Sequence, residues 1–285
     1  MTLVCDTDFL YSSAALQGFT MAKKELRTLT VVSSNTLTPH MQRIVLTGEE
    51  LATFPHDSES GYIKFLFSQQ GNIVSSKEQL EMLAPDKPLM RTYTVRKFEP
   101  ATKKLTVDFV LHKDSEGPAS KWAQIAAEGD EVVIVGPGPI KLVDNRADWF
   151  LFAGDMTALP AISCNLEQLP PEAKGYAVIE ISSELDIQPI SVPAGVEIKW
   201  VISDSHSDQE KFLDTVFALQ WLDGQPYVWC ACEFGAMKQL RKHFKFTRNI
   251  DKRSIYISSY WKRGNSEDQH KIAKQKDATQ EESVN

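Results

Sequence analysis

Arg91-Thr92-Tyr93-Thr94-Val95-Arg96 is the most informative stretch of this chain, because it alternates charged, aromatic and small hydroxyl side chains. Successive side chains of a β-strand point to opposite faces. As a strand, this stretch places Arg91 and Tyr93 on one face and Thr94 and Arg96 on the other. A guanidinium, a ring and hydrogen-bond donors suit a ligand that combines phosphate with a flat ring system. A polar, solvated strand with an exposed tyrosine is the alternative for this stretch taken alone.

The first half of the chain carries short, β-branched runs bounded by turns, which predict strands. Six such runs with few helical patterns indicate a closed antiparallel barrel of the Greek-key type. The exception is the segment 118–127, where Pro118 opens a helix-forming stretch, and a helix N-terminus attracts phosphate. The six predicted strands are Leu29–Val32, Gln42–Leu46, Tyr62–Phe67, Arg91–Arg96, Lys104–Val110 and Asp130–Val135.

In the second half of the chain the spacing of the apolar residues changes, and predicted strands alternate with predicted helices. Trp149–Ala153 is a continuous apolar run, which is typical of a strand buried on both faces. Alternating strands and helices predict a parallel α/β sheet that binds ligands at the carboxyl ends of its strands. Further strands are predicted at Ala177–Ile181, Ile198–Ile202 and Tyr227–Ala231, and helices at Thr157–Leu169, Glu210–Leu222 and Phe234–Phe244.

These patterns predict two domains with a boundary near residue 146. We expect an N-terminal extension at residues 1–21, a β-barrel domain at 22–146 and an α/β domain at 147–264. The polar tail, residues 265–285, is either a surface helix or disordered.

Composition narrows the class of protein. A formal net charge of −7 argues against general nucleic-acid binding, and no apolar run is long enough to cross a membrane. Four cysteines without a disulfide pattern, and no evident signal peptide, favour a cytoplasmic protein. The Cys-x-Cys pair at residues 230–232 has no metal-site spacing, and the histidines are scattered, so no metal site is predicted. A monomer is the default expectation.

An ordered series of short blocks resembles the siderophore-interacting protein family, the ferric-siderophore reductases related to ferredoxin–NADP reductases. The resemblance covers about residues 25 to 265. The resemblance is specific because the blocks occur in the same order, whereas each block by itself is weak evidence. The blocks are Arg91–Arg96, Asp108–His112, Gly117–Ala123, Gly136–Pro139, Ala153–Ile162, Trp229–Glu233 and Tyr260–Gly264.

The resemblance implies that the barrel binds FAD. Arg91 would pair with the diphosphate, Tyr93 would stack on the isoalloxazine and Thr94 would lie near its N5. Val110 and His112 would line the cofactor, although a histidine taken alone is more often structural. The full set implied for the cofactor is Arg91, Thr92, Tyr93, Thr94, Asp108, Val110, His112, Pro118, Ala119, Ser120, Asp155, Thr157, Ala158 and Trp261.

The turn after Trp149–Ala153 would reach the flavin and the nicotinamide of NAD(P)H. Asp and Thr are also common N-cap residues, so helix capping is a sufficient reason for the presence of Asp155 or of Thr157 taken alone. The chain has no GxGxxG fingerprint. Cys232 stands where the family pattern leads us to expect glycine, and its side chain would hinder close approach of a nucleotide. Cys230 is expected to be a buried small residue rather than a redox centre.

The block at residues 260–264 would close the site from the C-terminal end. Ser259 replaces an expected glycine and Lys262 an expected arginine, which loses the planar fork. Trp261 either covers the flavin or anchors a core or interface. Lys64, Lys262 and Arg263 would form a positive rim for an anionic ferric chelate.

The function implied is a cytoplasmic reductase that passes electrons from NAD(P)H, or from ferredoxin, through FAD to a ferric siderophore. This chemistry needs no general acid or base, so no catalytic side chain is predicted. Two alternatives stay open at this stage. One is a general ferredoxin- or flavin-reductase-like enzyme with another acceptor, and the other is a non-catalytic protein that binds ferric chelates or flavin.

Nine Lys or Arg residues against one acid stand between Lys238 and Arg263. A solvated helix face with its loop explains such a run. A local positive field that faces an anionic ligand explains it equally well.

Overall fold

The computed structural model describes residues 25–111, 117–203 and 209–282, and this part of the chain forms two β-sheets. The first is an antiparallel sheet of seven strands in the order β4-β3-β7-β1-β2-β6-β5. All six predicted strands are present, and β5 is an addition too short to be recognised in the sequence. The strands are β1 (Glu25–Thr38), β2 (Met41–Thr47), β3 (Tyr62–Phe67), β4 (Leu89–Thr94), β5 (Lys97–Glu99), β6 (Lys104–Val110) and β7 (Glu131–Gly136).

A bend in one extended segment closes this sheet into a barrel. The two edge strands of the sheet, β4 and β5, are separated by two residues only. Just before the bend the Val95 amide donates to the Gly61 carbonyl (2.8 Å), and just after it the Arg96 amide donates to the Thr106 carbonyl (3.0 Å). The segment therefore pairs first with the β3 side and then with β6, which joins the two edges.

An aromatic cluster of Phe65, Tyr93, Phe109 and Trp122 fills one end of the barrel. The rings of Tyr93 and Phe109 lie 4.2 Å apart, and Trp122 lies 5.5 Å from Phe65 and 5.6 Å from Phe109. Trp122 belongs to helix α2 (Pro118–Ile125), which begins at the predicted proline. The cluster thus fixes α2 against β4. A shorter helix, α1 (Lys77–Met82), lies between β3 and β4 in the chain.

The second sheet is entirely parallel, with the order β10-β9-β8-β11-β12. The predicted strands and helices are present, whereas β12 was not predicted as a strand because two serines interrupt its apolar pattern. The strands are β8 (Trp149–Gly154), β9 (Lys174–Ile181), β10 (Gly195–Ile202), β11 (Pro226–Glu233) and β12 (Ile255–Trp261). The helices are α3 (Leu159–Glu167), α4 (Gln209–Phe217) and α5 (Phe234–Lys242), the last continued by a π-helical turn, His243–Thr247.

Helix α3 connects the two domains through polar contacts with the bend of the barrel strand. Arg96 forms a bidentate ion pair with the Glu167 carboxylate, at 2.9 and 2.5 Å. The Cys164 thiol donates to the Arg96 carbonyl (3.3 Å), and burial raises the pKa of this thiol to about 11. Asn165 donates to the Ser60 hydroxyl at 3.3 Å. The orientation of β4 relative to the α/β domain is therefore tied to α3.

A second connection between the domains is centred on Asp186, which is fully buried. Its carboxylate accepts hydrogen bonds from the Thr38 hydroxyl (2.8 Å) and the His40 amide (3.1 Å). The His40 ring lies 2.7 Å from the other carboxylate oxygen. Because each acceptor has a donor, burial of this carboxylate is compensated.

The polar tail forms a surface helix, α6 (Glu267–Glu282). A capping box opens it, since the Gln269 amide donates to the Ser266 hydroxyl and the Ser266 amide to the Gln269 side chain. The helix is attached by polar side chains. His270 Nε2 lies 2.8 Å from Ser259 Oγ, and Asp277 accepts from Arg241 at 2.8 Å. No helix in the described segments is both long and apolar enough to span a membrane.

Replacing Glu167 with alanine removes the bidentate partner of Arg96 at the domain interface. We expect the free energy of unfolding to fall by about 1–2 kcal/mol, because charge-assisted hydrogen bonds that are partly shielded from water are lost. Urea denaturation measures this. Glu197→Ala, which breaks an exposed pair with Lys199, is the control and should cost about 0.5 kcal/mol or less. Equal losses in the two variants would contradict the role given to Arg96 and Glu167.

Attachment of α6 should depend on pH through His270. Burial, assisted by Lys274, lowers the pKa of His270 below its ordinary value of 6.5. The detached helix therefore binds a proton more readily, so attachment is strongest above about pH 6.5 and weakens as the pH falls through the lowered value. Hydrogen exchange of the α6 amides, corrected for intrinsic rates, should show less protection at acidic pH. His270→Gln should remove this dependence, and an unchanged pH profile in that variant would refute the assignment.

Candidate functional site

The outer edge of β4 presents backbone donors at alternate residues. The register pairs Ile63 with Tyr93, and Val95 bonds to Gly61, so the amides of residues 91, 93 and 95 point toward β3. The amides of Thr92 and Thr94 consequently point away from β3, along the free edge. This edge is the part of the barrel for which the family resemblance predicts the cofactor.

Arg91 and Tyr93 lie on one face of β4, as their spacing predicts. The Tyr93 ring is half-buried against Phe109 and Phe65, and burial raises the pKa of its hydroxyl. The Arg91 guanidinium donates to the carbonyl of its neighbour Met90 at 2.8 Å. No carboxylate of the described residues forms an ion pair with it. Its planar fork is thus accessible to an anionic ligand.

The N-terminus of α2 offers backbone donors beside this strand. Gly117 is the N-cap, Pro118 stands in the first turn, and none of the described residues provides a side-chain cap. Ala119 and Ser120 are buried. The dipole of a helix start favours an anion. His112, which is predicted for the same site, lies outside the described residues.

Two predicted cofactor residues on β6 have protein partners. Asp108 is buried and accepts two hydrogen bonds from Arg43, at 2.7 and 2.8 Å. Val110 is half-buried at the end of β6 and packs against the core of the α/β domain. In this structure Asp108 therefore orients Arg43, and Val110 lines the interface between the domains.

The turn at the end of β8 is organised by the buried carboxylate of Asp155. It accepts from the Thr157 amide (2.9 Å), the Thr157 hydroxyl (2.5 Å) and the indole nitrogen of Trp261 (2.7 Å). Burial nevertheless raises the pKa of this carboxyl. Ala158 is also buried here. Gly154 is required because a Cβ would lie 2.6 Å from the Ala231 carbonyl of the neighbouring strand.

The contact with Asp155 also fixes the position of Trp261, for which the sequence leaves two roles open. Its half-buried indole is held by Asp155, so it links the end of β12 to the end of β8. The two carboxyl ends of these parallel strands therefore present Thr157 and Trp261 together. Ligands of parallel sheets bind at such an edge.

The side chain of Cys232 does not project toward this edge, contrary to the expectation from the sequence. Cys230 and Cys232 are both buried in the core beneath α4 and α5, on one face of β11. Trp229 and Ala231 face the other core. Burial raises the pKa of both thiols. The steric objection to nucleotide binding therefore does not apply, and Cys230 is the buried small residue that was predicted.

Of the three residues predicted for the positive rim, Lys64 lies on β3, and Lys262 and Arg263 lie in the loop between β12 and α6. Lys64 is paired across the strands with Thr92, and its Nζ lies 6.0 Å from the centre of the Tyr62 ring. Lys262 Nζ lies 4.9 Å from the centre of the Phe234 ring. Arg263 is exposed, and its amide donates to Glu233 at 3.2 Å.

Glu267, the first residue of α6, was not predicted as a site residue. Its carboxylate accepts from the Thr92 amide (3.1 Å) and the Thr92 hydroxyl (2.6 Å). The loop between Trp261 and Glu267 thus runs from the Asp155 turn to the edge of β4. The capping-box spacing of Ser266 and Gln269 is the sequence signal that predicts this helix start.

The basic run between Lys238 and Arg263 is divided among several elements. Lys238 and Arg241 face Asp277 of α6, at 3.5 and 2.8 Å. Arg248 stacks on Trp221, with 4.4 Å from the guanidinium carbon to the ring centre. Arg253 pairs with Asp251. These four cations serve structural contacts, which accounts for much of the run without a ligand.

The residues at the β4 edge fit a flavin dinucleotide. Arg91 and the α2 N-terminus suit a diphosphate, Tyr93 supplies a ring, and the outward amide of Thr94 supplies a donor. Thr92 is the exception, because both of its donors are engaged by Glu267. Among the residues that the structure describes, no group of His, Cys, Asp and Glu side chains could hold a metal ion.

Two family models match the chain in succession. Residues 30–140 match the siderophore-interacting FAD-binding domain, and residues 147–264 match the siderophore-interacting protein model. The chain is 33% identical over 248 residues to the ferric vibriobactin reductase of Vibrio cholerae, covering 85% of this chain and 91% of that protein.

Solved structures agree with these matches. The siderophore-interacting protein SipS from Aeromonas hydrophila is similar with a TM-score of 0.78 and 32% identity, covering 90% of this chain and 99% of that one. The FAD/NAD-binding domain of a nitric oxide dioxygenase from Vibrio cholerae, at 14% identity and a TM-score of 0.59, shares the fold. With an antiparallel FAD-binding domain followed by a parallel α/β domain, the chain belongs to the siderophore-interacting protein family.

Proposed function

We propose that this protein is a reductase that uses FAD to pass electrons from NAD(P)H or ferredoxin to a ferric siderophore. The observation that carries the proposal is the loop from Trp261 to Glu267, which is bonded to the Asp155 turn at one end and to the β4 edge at the other, in a chain whose relatives include a ferric vibriobactin reductase. FAD would lie where donors from the barrel and the carboxyl ends of β8 and β12 converge. The site would act by positioning, without a general acid or base.

On the barrel side, each proposed contact follows from the local structure. Arg91 would bind the diphosphate with its planar fork, together with the amide of Ala119 at the start of α2. Tyr93 would stack on the ring system, since Phe109 and Phe65 hold its own ring in place. The outward amide of Thr94 would donate to the flavin. When bound, FAD accepts two electrons as hydride and releases them singly, which a one-electron acceptor such as iron requires.

On the α/β side, Thr157 and Trp261 would orient the electron donor or the flavin edge. Asp155 would act indirectly, since its carboxylate is occupied in holding these two side chains. The contacts of the basic run favour neither NADH nor NADPH. Lys238 and Arg241 of this run face Asp277 rather than a nucleotide phosphate.

Lys64, Lys262 and Arg263 would attract the anionic ferric chelate to the exposed side of the site. Siderophores hold Fe(III) through hard oxygen ligands, and reduction to Fe(II) weakens those bonds. Attraction by a cationic rim should weaken with added salt, since exposed charges are screened.

A spectral experiment tests the reductase itself. The purified protein should be yellow, should bleach under anaerobic conditions with NADH, NADPH or reduced ferredoxin, and should regain its colour with a ferric siderophore. Each electron donor is added separately. Fe(III)-EDTA and a quinone are then tested as electron acceptors for comparison with the ferric siderophore. Reoxidation by the quinone as fast as by the ferric siderophore would indicate a general reductase. A colourless protein that binds the chelate would indicate a binding protein.

Replacing Arg91 with alanine should weaken FAD binding by about ten- to a hundredfold, the range expected for charge-assisted hydrogen bonds of about 1.5–3 kcal/mol. Titration of the apoprotein with FAD, followed by fluorescence, measures the affinity. Arg91→Lys should give an intermediate loss, because lysine keeps the charge without the fork.

Arg253→Ala is the matched control, because Arg253 is an exposed arginine that pairs with Asp251 in the α/β domain. It should bind FAD like the unaltered protein. Unaltered FAD affinity in Arg91→Ala would show that the diphosphate is bound elsewhere.

A further inference from the structure

The C-terminal helix brings a carboxylate to the free edge of the barrel. Both oxygens of Glu267 are engaged by one residue, the Thr92 amide at 3.1 Å and the Thr92 hydroxyl at 2.6 Å. Two hydrogen bonds to one carboxylate fix its position and orientation more firmly than one would. The contact joins residues 175 positions apart in the chain. It is therefore a tertiary contact between α6 and the FAD-binding domain.

The donor that holds this carboxylate is the outward amide next to that of Thr94 along the β4 edge. Thr92 and Thr94 point their amides along the same edge, and two residues of a strand span about 7 Å. Tyr93 lies between them in sequence, with Arg91 on its other side. A negative charge from α6 and a positive charge from β4 therefore flank the residue proposed to stack on the flavin.

Several polar contacts of α6 hold Glu267 in this place. His270 bonds to Ser259, Lys274 Nζ donates to the Ser258 hydroxyl (2.7 Å), and Asp277 faces Arg241. The helix buries little apolar surface, since the side chain of Ile272 is 54% exposed. Ser259 stands where the family pattern predicts glycine, and its hydroxyl is one of these anchors. Polar contacts fix the register of a helix better than a uniform apolar face does.

A contact that merely fastens the helix would also use Thr92. Fastening alone does not account for the location, because α6 is already attached by three side chains further along its length. Nor does it account for the residues chosen, since Glu267 engages the donors next to Tyr93 and Thr94. The position therefore indicates a contribution to the cofactor site.

We propose that Glu267 is a positioning residue of the flavin site, and that its carboxylate, held by Thr92, lowers the reduction potential of the bound flavin. This inference rests on the proposed function. Reduction adds negative charge to the flavin, and a fixed negative charge nearby disfavours that addition. The reduced cofactor then gives up electrons more readily, which favours their transfer to a tightly chelated Fe(III).

The test is the reduction potential of the FAD-loaded protein, measured by equilibration with a reference dye. Glu267→Gln removes the charge and keeps the shape of the side chain. We expect its bound flavin to favour the reduced form about tenfold more than in the unaltered protein, a rise of about 30 mV for two electrons. Glu267→Asp, which keeps the charge on a shorter stem, should remain near the unaltered value.

Asp268→Asn is the matched control, because Asp268 is an exposed acid in the first turn of the same helix. It changes the net charge equally and should leave the potential unchanged. The affinity for oxidised FAD is measured on all four proteins. A potential that is the same in Glu267→Gln and Asp268→Asn would overturn the inference.

Tighter binding of oxidised FAD in Glu267→Gln, with no change of potential, would overturn it as well, since Glu267 would then be a competitor of the cofactor. In both cases the unaltered protein would still bleach and recolour, so the proposed function would stand. An unaltered protein that binds no flavin would contradict both the proposed function and the inference about Glu267.

Discussion

The change of partner within one extended segment, between β4 and β5, is the constraint on which this structure depends. The same turn of chain closes the barrel, exposes the amides of Thr92 and Thr94, and delivers the carbonyl of Arg96 to α3. A strand pairs with at most one neighbouring strand on each of its two sides. Before the bend, β4 pairs with β3 on one side, and its other side therefore remains a strand edge. The candidate cofactor site is that free edge, and the second domain is fastened where it ends.

Polar contacts set the relation between the domains. Glu167 binds the Arg96 guanidinium, Asp186 binds Thr38 and His40, and Glu267 binds Thr92. Contacts of this kind specify direction, whereas apolar burial is tolerant of small rotations. The proposed flavin site between the two domains would benefit from such fixed directions. Such contacts lie on both sides of the bend, so movement of one domain would be transmitted to β4.

Local patterns predicted most elements and failed for identifiable reasons. The six barrel strands were predicted because their side chains alternate or cluster between turns. β5 has three residues, and β12 contains Ser258 and Ser259, so neither carries an apolar signal. The side chain of Cys232 was expected to hinder a nucleotide, yet the strand parity that places Cys230 in the core places Cys232 there too. Glu267 was missed although Ser266 and Gln269 mark a helix start, since nothing local connects that start to Thr92.

The sequence by itself determined the two-domain order, the parallel and antiparallel character of the sheets, and the alternation that puts Arg91 and Tyr93 on one face. Those properties follow from periodicity and turn chemistry, which act over a few residues. Only the tertiary structure decided which side chains are engaged by others. Asp108 is taken by Arg43, Asp155 by Thr157 and Trp261, and Thr92 by Glu267. These partners lie far apart in sequence or depend on packing, because a hydrogen bond requires two groups to meet in space and a linear pattern records only one of them.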